Sequence, residues 1–394
     1  MNNIPILKSQ TLQKKSNQLE TSITKEYDLC DFCLGRLFSK KYNSSSYKLL
    51  GKKIRKKYQI RRRKIRGNRV CYICKNTFNK IDSYLELLIS KSSNYQFNTF
   101  VLGTIIKPSL SERDDLIKSK YKIRAVESIK TSITKEISKK FSRKTKSDLV
   151  NLDPDLTLTV NLKTQGCDLR TKPIYLYCRY TKKKRGLPQK EKITSEFFSK
   201  EHYISHKSIS VESKISQFLY EKFSTNKIKI NWIGGEDKSS LVLGKGRPIF
   251  VKIVNPLKRN IRFPKKVKLG EIVLSNLKII KEYPNGSKPF KSSILLNIET
   301  KDQINSEYIK KIKNIKNKPI NIFEKNGKTN KKFIYRINYK KIGLNSFIIT
   351  MLVDGGFPIK RFVEGRDVSP NISGIIKNKS TCKQFDFKQI YLST

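Results

Sequence analysis

Four cysteines stand in two frames of identical spacing, and together they could hold one metal ion. The pairs are Cys30 with Cys33 and Cys71 with Cys74, each in a CxxC turn. Such a turn directs two sulfur atoms at one centre, so two turns complete the tetrahedral four-thiolate set that is typical of structural zinc. The long insert between the pairs leaves room for a helix. The sequence therefore predicts one structural zinc ion.

The main alternative for these cysteines is a pair of redox-active or disulfide-forming CxxC motifs. Motifs of that kind lie in apolar βαβ surroundings, whereas residues 51–64, between the two pairs, are dominated by Lys and Arg. A metal-bound module that contacts phosphates is therefore the favoured interpretation. The remaining thiols, Cys167, Cys178 and Cys382, are isolated in the sequence and fit a reduced intracellular protein.

A second candidate for chemistry is the carboxylate of Asp237, which ends the run Trp-Ile-Gly-Gly-Glu-Asp from Trp232. Two glycines before an acidic pair allow a sharp turn that presents a carboxylate at a loop tip. The nearby Gly-Lys-Gly-Arg-Pro run carries Arg247, whose guanidinium could keep Asp237 ionised. A carboxylate placed this way could act as nucleophile or base at a sugar anomeric carbon. Taken alone, each run is more simply explained as an ordinary turn.

The charge of the chain points to a polyanionic partner. Among 394 residues, 85 Lys and Arg stand against 32 Asp and Glu, which gives a formal net charge of +53. Such a surplus exceeds what solubility requires and is typical of nucleic-acid binding. Residues 51–66 and 182–185 are dense cationic clusters, and the aromatic residues beside the second suit stacking on RNA. A solvated, lysine-rich strand end explains the second cluster equally well.

The chain shows no membrane signal. No run approaches the length of about 18 apolar residues that a membrane span needs, and the N-terminus lacks the apolar stretch of a signal peptide. We therefore expect a cytoplasmic protein that does not associate with membranes.

The hydrophobic periodicity predicts an α+β protein. Four regions are expected: a flexible lead-in over 1–24, the zinc-binding module over 25–82, a second domain over 83–195 and a third over 205–394. In the second domain a strand near residue 100 precedes an acidic turn at Glu112–Asp115 and a helix with apolar residues four apart. Alternating residues then predict two more strands, and the third domain begins with an amphipathic helix followed by short strands. The helix residues are Ile129, Ile133, Ile137 and Phe141, the first alternating strand is Leu156–Leu162 and the second is Ile174–Tyr177.

Several motifs together resemble the archaeal and eukaryotic family of tRNA pseudouridine synthases that joins a zinc-bearing THUMP-type module to a catalytic domain. Cys30–Phe38 resembles the opening CxxCLGRxF of that family, and Gly234–Phe250 resembles its GREDxDxRxLGxGRPF stretch without a gap. Arg185–Gln189 is similar to a landmark of its THUMP region, and Gly356–Val363 to its YIKEF segment. The resemblance implies a THUMP-type RNA-binding domain over 83–195 and a pseudouridine synthase domain, with a mixed or antiparallel sheet flanked by helices, over 205–394.

The resemblance also implies an activity and its residues. The family isomerises T-loop uridines of tRNA, at positions 54 and 55, without an organic cofactor, and Asp237 falls on its catalytic aspartate. Phe290 matches the aromatic that stacks on the flipped base, although it lacks the family's hydroxyl. Lys360 falls on the basic residue near the carboxylate, and with Ile359 and Arg247 it is expected to bind substrate. The implied partner is the tRNA T-arm, and the implied state is a monomer.

The sequence departs from the family motif at three positions around the aspartate, where Gly235, Ser239 and Leu241 replace Arg, Asp and Arg. A degenerate synthase that survives as a zinc-containing tRNA-binding or folding protein is therefore the alternative. A THUMP-type methyltransferase would need a Gly-rich loop that opens a helix, and a sulfur transferase a reactive cysteine beside an ATP-binding loop. Neither is visible. A structural ribosomal zinc protein would leave the Gly234–Phe250 match unexplained.

Overall fold

The chain forms two compact units, Met1–Lys172 and Pro173–Thr394, each with its own apolar core. The computed structural model describes residues 19–61, 69–190, 210–286 and 288–392. Each unit combines helices with a sheet, which confirms the predicted α+β class. Within these ranges, no helix is both long and apolar enough to cross a membrane.

The first unit combines the cysteine module with a small helix-and-sheet assembly around one shared core. Its labelled helices are α1 (Asp31–Phe38), α2 (Tyr47–Lys57), α3 (Ile81–Ser92), α4 (Pro108–Lys120) and α5 (Ile129–Thr145). Helix α2 lies between the two CxxC pairs, where the sequence left room for a helix. The module buries its apolar side chains together with those of the following segment, so 25–82 and 83–172 lie in one compact unit.

Four strands form the sheet of the first unit: β1 (Thr99–Ile105), β2 (Asp148–Leu149), β3 (Leu156–Asn161) and β4 (Gly166–Thr171). Their order is β2–β1–β3–β4, with β1 parallel to both neighbours and β3 antiparallel to β4. Helix α5 buries its apolar stripe completely, as predicted, because residues four apart share one helix face. The residues of this stripe are each 0% exposed: Ile129, Ile133, Ile137 and Phe141.

Two local predictions for the first unit differ from the structure, the second of them over residues 19–24. The acidic segment Glu112–Asp115 lies inside α4 instead of forming a turn. There the buried carboxylate of Asp114 pairs with the guanidinium of Arg36 and, at 2.8 Å, with the ammonium of Lys118 one helical turn later. In the predicted lead-in 1–24, residues 19–24 are helical and Ile23 is buried. Residues 1–18 lie outside the described residues.

In the described residues of the second unit, the strands form an eleven-stranded sheet. They are β5 (Ile174–Lys182), β6 (Lys227–Trp232), β7 (Val242–Val254), β8 (Lys266–Leu269), β9 (Ile272–Ile280), β10 (Phe290–Thr300), β11 (Pro319–Phe323), β12 (Thr329–Lys341), β13 (Ser346–Asp354), β14 (Val368–Ser369) and β15 (Ser380–Leu392). The order is β14–β11–β12–β13–β10–β15–β7–β5–β9–β8, and β6 also pairs with β7. Neighbouring strands are antiparallel except at the β15–β7 contact.

The helices of the second unit place apolar side chains in the same core as the strands. They are α6 (Val211–Phe223), α7 (Ser306–Lys310), α8 (Ile359–Glu364) and α9 (Ile372–Ile376). Helix α6 carries the amphipathic pattern predicted at the start of the third domain, and Val211, Ile215 and Leu219 are fully buried. Ser210 caps its first turn by accepting a hydrogen bond from the backbone N–H of Ser213 at 2.9 Å.

Strand β5 belongs to the second unit, which corrects its predicted place in the 83–195 domain. It pairs with β7 on one edge and with β9 on the other, so both of its backbone edges are satisfied inside the larger sheet. Periodicity identified the strand but carried no information about its partners.

Candidate active site and metal centre

A cleft of about 430 Å³ in the second unit collects four of the five predicted catalytic and substrate-binding residues. Asp237 reaches it from the loop between β6 and β7, and Phe290 is the first residue of β10. Helix α8 contributes Ile359 and Lys360 at its first turn. The remaining lining residues are Gly235, Glu236, Ser292, Ile294, Asp354, Gly356, Phe357, Pro358, Arg361, Phe385 and Phe387. Four segments far apart in sequence therefore meet at one carboxylate.

The carboxylate of Asp237 is held by a cation and by two hydrogen bonds. The ammonium of Lys360 lies 2.6 Å from Oδ2, while the backbone N–H and hydroxyl of Ser239 donate to Oδ1 at 3.1 and 3.0 Å. These partners, Lys360 first, lower the pKa of Asp237 to about 2 from its usual 3.8. Asp237 is therefore an ionised carboxylate at neutral pH, and 27% of its side chain remains exposed.

Lys360 occupies the place predicted for the counter-ion of Asp237. The same hydrogen bond raises the pKa of Lys360, so both partners are charged around neutrality. Ser239, which replaces a family aspartate, supplies hydrogen-bond donors to the carboxylate in place of a second negative charge. This substitution thus leaves Asp237 supported.

The ring of Phe290 packs on two glycines. A Cβ atom placed on Gly234, whose φ is +75°, or on Gly355 would lie 2.4 Å from a ring carbon of Phe290. Both positions therefore need glycine for the ring to lie where it does. Ser292 and Ile294 follow on the same face of β10 and also line the cleft. The strand thus fixes the aromatic at the wall of the cleft that contains Asp237.

Arg247 does not line the cleft, and the prediction that it contacts substrate is wrong. Its side chain is 0% exposed, and its guanidinium donates to the carbonyl oxygens of Ile233 at 2.7 Å and Gly235 at 3.0 Å. The same group lies 3.2 Å from the carboxylate of Glu236. Because Lys360 supplies the cation at Asp237, Arg247 holds the loop backbone instead.

Sequence reasoning missed the buried polar residues behind this loop. The carboxylate of Glu236 pairs with Arg247 and with Lys182, and the hydroxyl of Tyr180 donates to it at 2.9 Å. The signal was present in the alternation of β5, where a lysine takes the next inward position after four buried residues. These four residues are Ile174, Leu176, Cys178 and Tyr180. A second alternation, from Arg247 through Ile249 and Val251, points Arg247 inward in the same way.

The four predicted cysteines cluster in the first unit. Their sulfur atoms all lie within 4.8 Å of one another, and the Cys30 and Cys74 sulfurs are 3.7 Å apart. Four sulfurs around a zinc ion, each about 2.3 Å from it, would be separated by about 3.8 Å. The cluster therefore has the dimensions and the soft, all-sulfur donor set of a structural zinc site.

Local structure aims the sulfur atoms at a common centre. Cys30 is the N-cap of α1, and its sulfur accepts from the backbone N–H of Cys33 at 3.4 Å. The side chain of Asn76 accepts from the backbone N–H of Cys71 at 3.0 Å and fixes the second turn. Hydrogen bonds from the neighbouring thiols lower the pKa of Cys71, whereas burial raises the pKa of Cys33.

Comparison with known proteins gives the class of the protein, a tRNA pseudouridine synthase with a THUMP domain. The model "Pus10, C-terminal" matches residues 175–391, and "Pus10 THUMP domain, archaeal" matches residues 84–161. The tRNA pseudouridine synthase Pus10 of Nitrosopumilus maritimus is 44% identical over 96% of this chain and 99% of its own length. That of Cenarchaeum symbiosum is 30% identical over 92% and 90%. The chain belongs to the Pus10 family.

More distant relatives carry the same name. The Pus10 of Pyrococcus furiosus is 25% identical over 93% of this chain and 96% of its own length. Among solved structures, a Cbf5-Nop10-Gar1 complex aligns with a TM-score of 0.29 at 8% identity, over 55% of this chain and 60% of that one. A structural similarity with so low a TM-score supports no conclusion about this protein.

Proposed function

We propose that this protein isomerises uridine to pseudouridine in tRNA and that Asp237 is the reacting carboxylate. The observation that carries the proposal is the Asp237–Lys360 ion pair in the cleft, because it presents an ionised, partly exposed carboxylate next to an aromatic wall. Membership of the Pus10 family supports the same reaction.

The reaction needs no co-reactant, because it rearranges the atoms of one nucleotide. Asp237 attacks the ribose or removes one of its protons while the C1′–N1 bond breaks. The released uracil anion rotates in the cleft and rejoins C1′ through C5, which frees Asp237 from its bond to the ribose or returns the proton it had removed. C5 then loses its proton and N1 gains one, so the product is an isomer of the starting nucleotide. The target must first be flipped out of its loop to reach the carboxylate, and Phe290 offers a face on which the flipped base stacks.

The three departures from the family motif leave this chemistry supported. Ser239 donates two hydrogen bonds to Asp237, and Lys360 provides the cation. Gly235 lies at the cleft, where a Cβ would meet only the side chain of Gln189 at 3.8 Å. The backbone N–H of Leu241 donates to Asp386 at 2.8 Å and does not depend on the side chain. We therefore favour the active enzyme over a degenerate synthase.

The T-loop uridines at positions 54 and 55 are the proposed targets, bound by a monomer in the cytoplasm. The motifs at Gly234–Phe250 and Gly356–Val363 support this choice, as does the net charge of +53, which suits a folded RNA. We further propose that Cys30, Cys33, Cys71 and Cys74 bind one structural zinc ion and that no organic cofactor takes part. A zinc ion bound there would stabilise the fold of the first unit.

Nucleotide-resolution mapping of pseudouridine tests the proposed function. An unmodified tRNA transcript is incubated with the purified protein, beside transcripts that carry cytidine at position 54, at position 55 or at both. We expect pseudouridine at 54, at 55 or at both in the first transcript and none at a cytidine. Tight tRNA binding without any pseudouridine would contradict the proposal and favour the tRNA-binding or folding protein.

A further inference from the structure

Lys182 is a buried cation in a segment whose charge suggested contact with RNA. It ends β5, its side chain is 0% exposed, and it faces the core of the second unit. Its neighbours Lys183 and Lys184 are exposed. A phosphate cannot reach a fully buried ammonium, so Lys182 must act on the protein itself.

The ammonium of Lys182 contacts the loop that carries Asp237. It donates to the carbonyl oxygens of Leu187 at 2.9 Å and of Asp237 at 3.1 Å. It also lies 3.1 Å from one carboxylate oxygen of Glu236, while Arg247 lies 3.2 Å from the other. The contact between Lys182 and Asp237 is therefore direct, but it involves the backbone rather than the carboxylate.

The buried charges do not balance, and this imbalance explains the carbonyl contacts. Two cations, Lys182 and Arg247, share the single carboxylate of Glu236, and all three side chains are 0% exposed. Each buried ion costs several kcal/mol unless other polar groups replace its water. Here the carbonyl oxygens do so: Arg247 binds two of them, and Lys182 binds that of Asp237 itself.

The direction in which these carbonyls point affects the position of the Asp237 carboxylate. The carbonyls of Ile233, Gly235 and Asp237 accept hydrogen bonds from the buried cations, while the side chain of Asp237 lines the cleft. Gln189 adds a further hydrogen bond to the carbonyl of Gly234 at 3.2 Å. A loop held at successive carbonyls has little freedom to rotate its peptide planes, so the position of the carboxylate is fixed from behind.

We propose that Lys182, together with Arg247, is a positioning residue for Asp237: the two buried cations draw the loop carbonyls inward and thereby aim the carboxylate at the ribose. The proposal rests on the proposed function. Lys182 acts through the backbone of Asp237 and does not bind RNA. Its removal should therefore slow the chemical step without weakening binding.

The test compares Lys182→Met with wild type in single-turnover pseudouridine formation at saturating tRNA. Methionine replaces the apolar part of the lysine side chain as far as Cε and leaves Glu236 paired one-to-one with Arg247, so the variant should fold. Since a displacement of about 1 Å costs about 100-fold in rate, we expect a fall of about 30- to 100-fold. The Kd for tRNA should stay within about twofold of wild type, with an unchanged salt dependence. Lys183→Met, which removes an exposed cation, should instead weaken binding and make the salt slope shallower by about one.

Thermal melting of each variant separates positioning from loss of fold. If Lys182→Met melts below the assay temperature, Lys182→Gln takes its place, and the same split between rate and affinity is expected. A wild-type rate in a folded Lys182 variant would overturn the inference and leave the proposed function intact. Weaker tRNA binding with a shallower salt slope would overturn it too, because Lys182 would then be a phosphate contact. Absence of pseudouridine with wild-type protein would overturn the proposed function as well.

Discussion

The cysteine cluster and the Asp237 cleft are built from their sequences in different ways. The cluster uses two turns of four residues each and one residue type, and its four sulfur atoms converge within 4.8 Å. The cleft gathers a loop, strands β10 and β15 and helix α8, and its roles are divided among unlike side chains. Spacing alone therefore locates the first site, whereas the second depends on which way each charged side chain faces.

The cations of the second unit show this dependence most clearly. Lys182, Arg247 and Lys360 are all basic in sequence, yet two are buried behind the Asp237 loop and one meets its carboxylate in the cleft. Substitutions in the cysteine cluster and in the Asp237 cleft should accordingly have different effects. Substitution of the cysteines should unfold the first unit, whereas substitution of a cleft residue should lower the rate of pseudouridine formation.

The largest expected effect is at the cluster. Cys30→Ser combined with Cys71→Ser should abolish zinc binding and unfold the first unit, because a structural zinc ion supplies about 10 kcal/mol of folding free energy. Metal analysis and circular dichroism measure both effects. Cys167→Ser is the matched control, since Cys167 is buried in the same unit outside the cluster, and it should retain zinc. Wild-type protein without zinc would contradict the zinc assignment.

Lys360→Met should slow pseudouridine formation by about 100-fold, the size of effect seen when one group that stabilises developing charge is lost. It also removes the main cause of the lowered pKa of Asp237. That pKa should rise, and the acid limb of the pH–rate profile should move to higher pH. Wild type should keep a constant rate from about pH 8 to pH 5, because a group with a pKa near 2 stays ionised there. Lys360→Arg, which keeps the charge, should recover part of the rate. An unchanged pH–rate profile in Lys360→Met would mean that Lys360 does not control the ionisation of the carboxylate on which the rate depends.

Phe290→Ala should slow the reaction without ending it, because stacking of a base on an aromatic ring contributes about 1–3 kcal/mol. Phe290→Leu restores apolar bulk but no aromatic face, so its rate should resemble that of the alanine variant while its melting temperature stays closer to wild type. Single-turnover kinetics beside thermal melting measure the two quantities. A wild-type rate in the Phe290→Leu variant would show that stacking on the Phe290 ring does not contribute to the reaction.

The smallest effects per residue concern the exposed cations. If about six phosphates are contacted, the logarithm of tRNA affinity should fall against the logarithm of salt concentration with a slope of about −4 to −6. Titrations from low to high salt measure this slope. A slope near zero would exclude phosphate contacts as the main source of affinity.

Much of the fold and part of the site follow from the sequence. Period and length identify helix α5 and strand β3, because a repeat of about 3.6 or of two residues reflects one buried face. The cysteine frames locate the cluster, and the family resemblance pairs Asp237 with Lys360. The strand partners of β5 do not follow, because a strand pattern does not encode its neighbours.

The roles of Arg247 and Lys182 were misjudged for a physical reason. In a chain of charge +53, the cationic run 182–185 points to RNA and Arg247 points to the carboxylate of Asp237. Buried lysine and arginine are rare, however, and depend on partners that only the fold brings together. Glu236 lies next to Asp237 in sequence, yet its side chain turns into the buried network. The prediction of a turn at Glu112–Asp115 is wrong for a similar reason. The carboxylate of Asp114 lies inside a helix and accepts a hydrogen bond from Arg36, which is distant in sequence.

The most direct test of the account is single-turnover pseudouridine formation by Asp237→Asn, with Asp354→Asn as the matched control. Both carboxylates line the cleft, but Asp354 accepts from the hydroxyl of Tyr335 at 2.8 Å and from the backbone N–H of Phe333 at 2.7 Å. We expect no pseudouridine with Asp237→Asn, a tRNA affinity equal to or slightly above wild type because one negative charge is removed, and measurable activity with Asp354→Asn. Pseudouridine formed at the wild-type rate by Asp237→Asn would contradict the proposed role of Asp237.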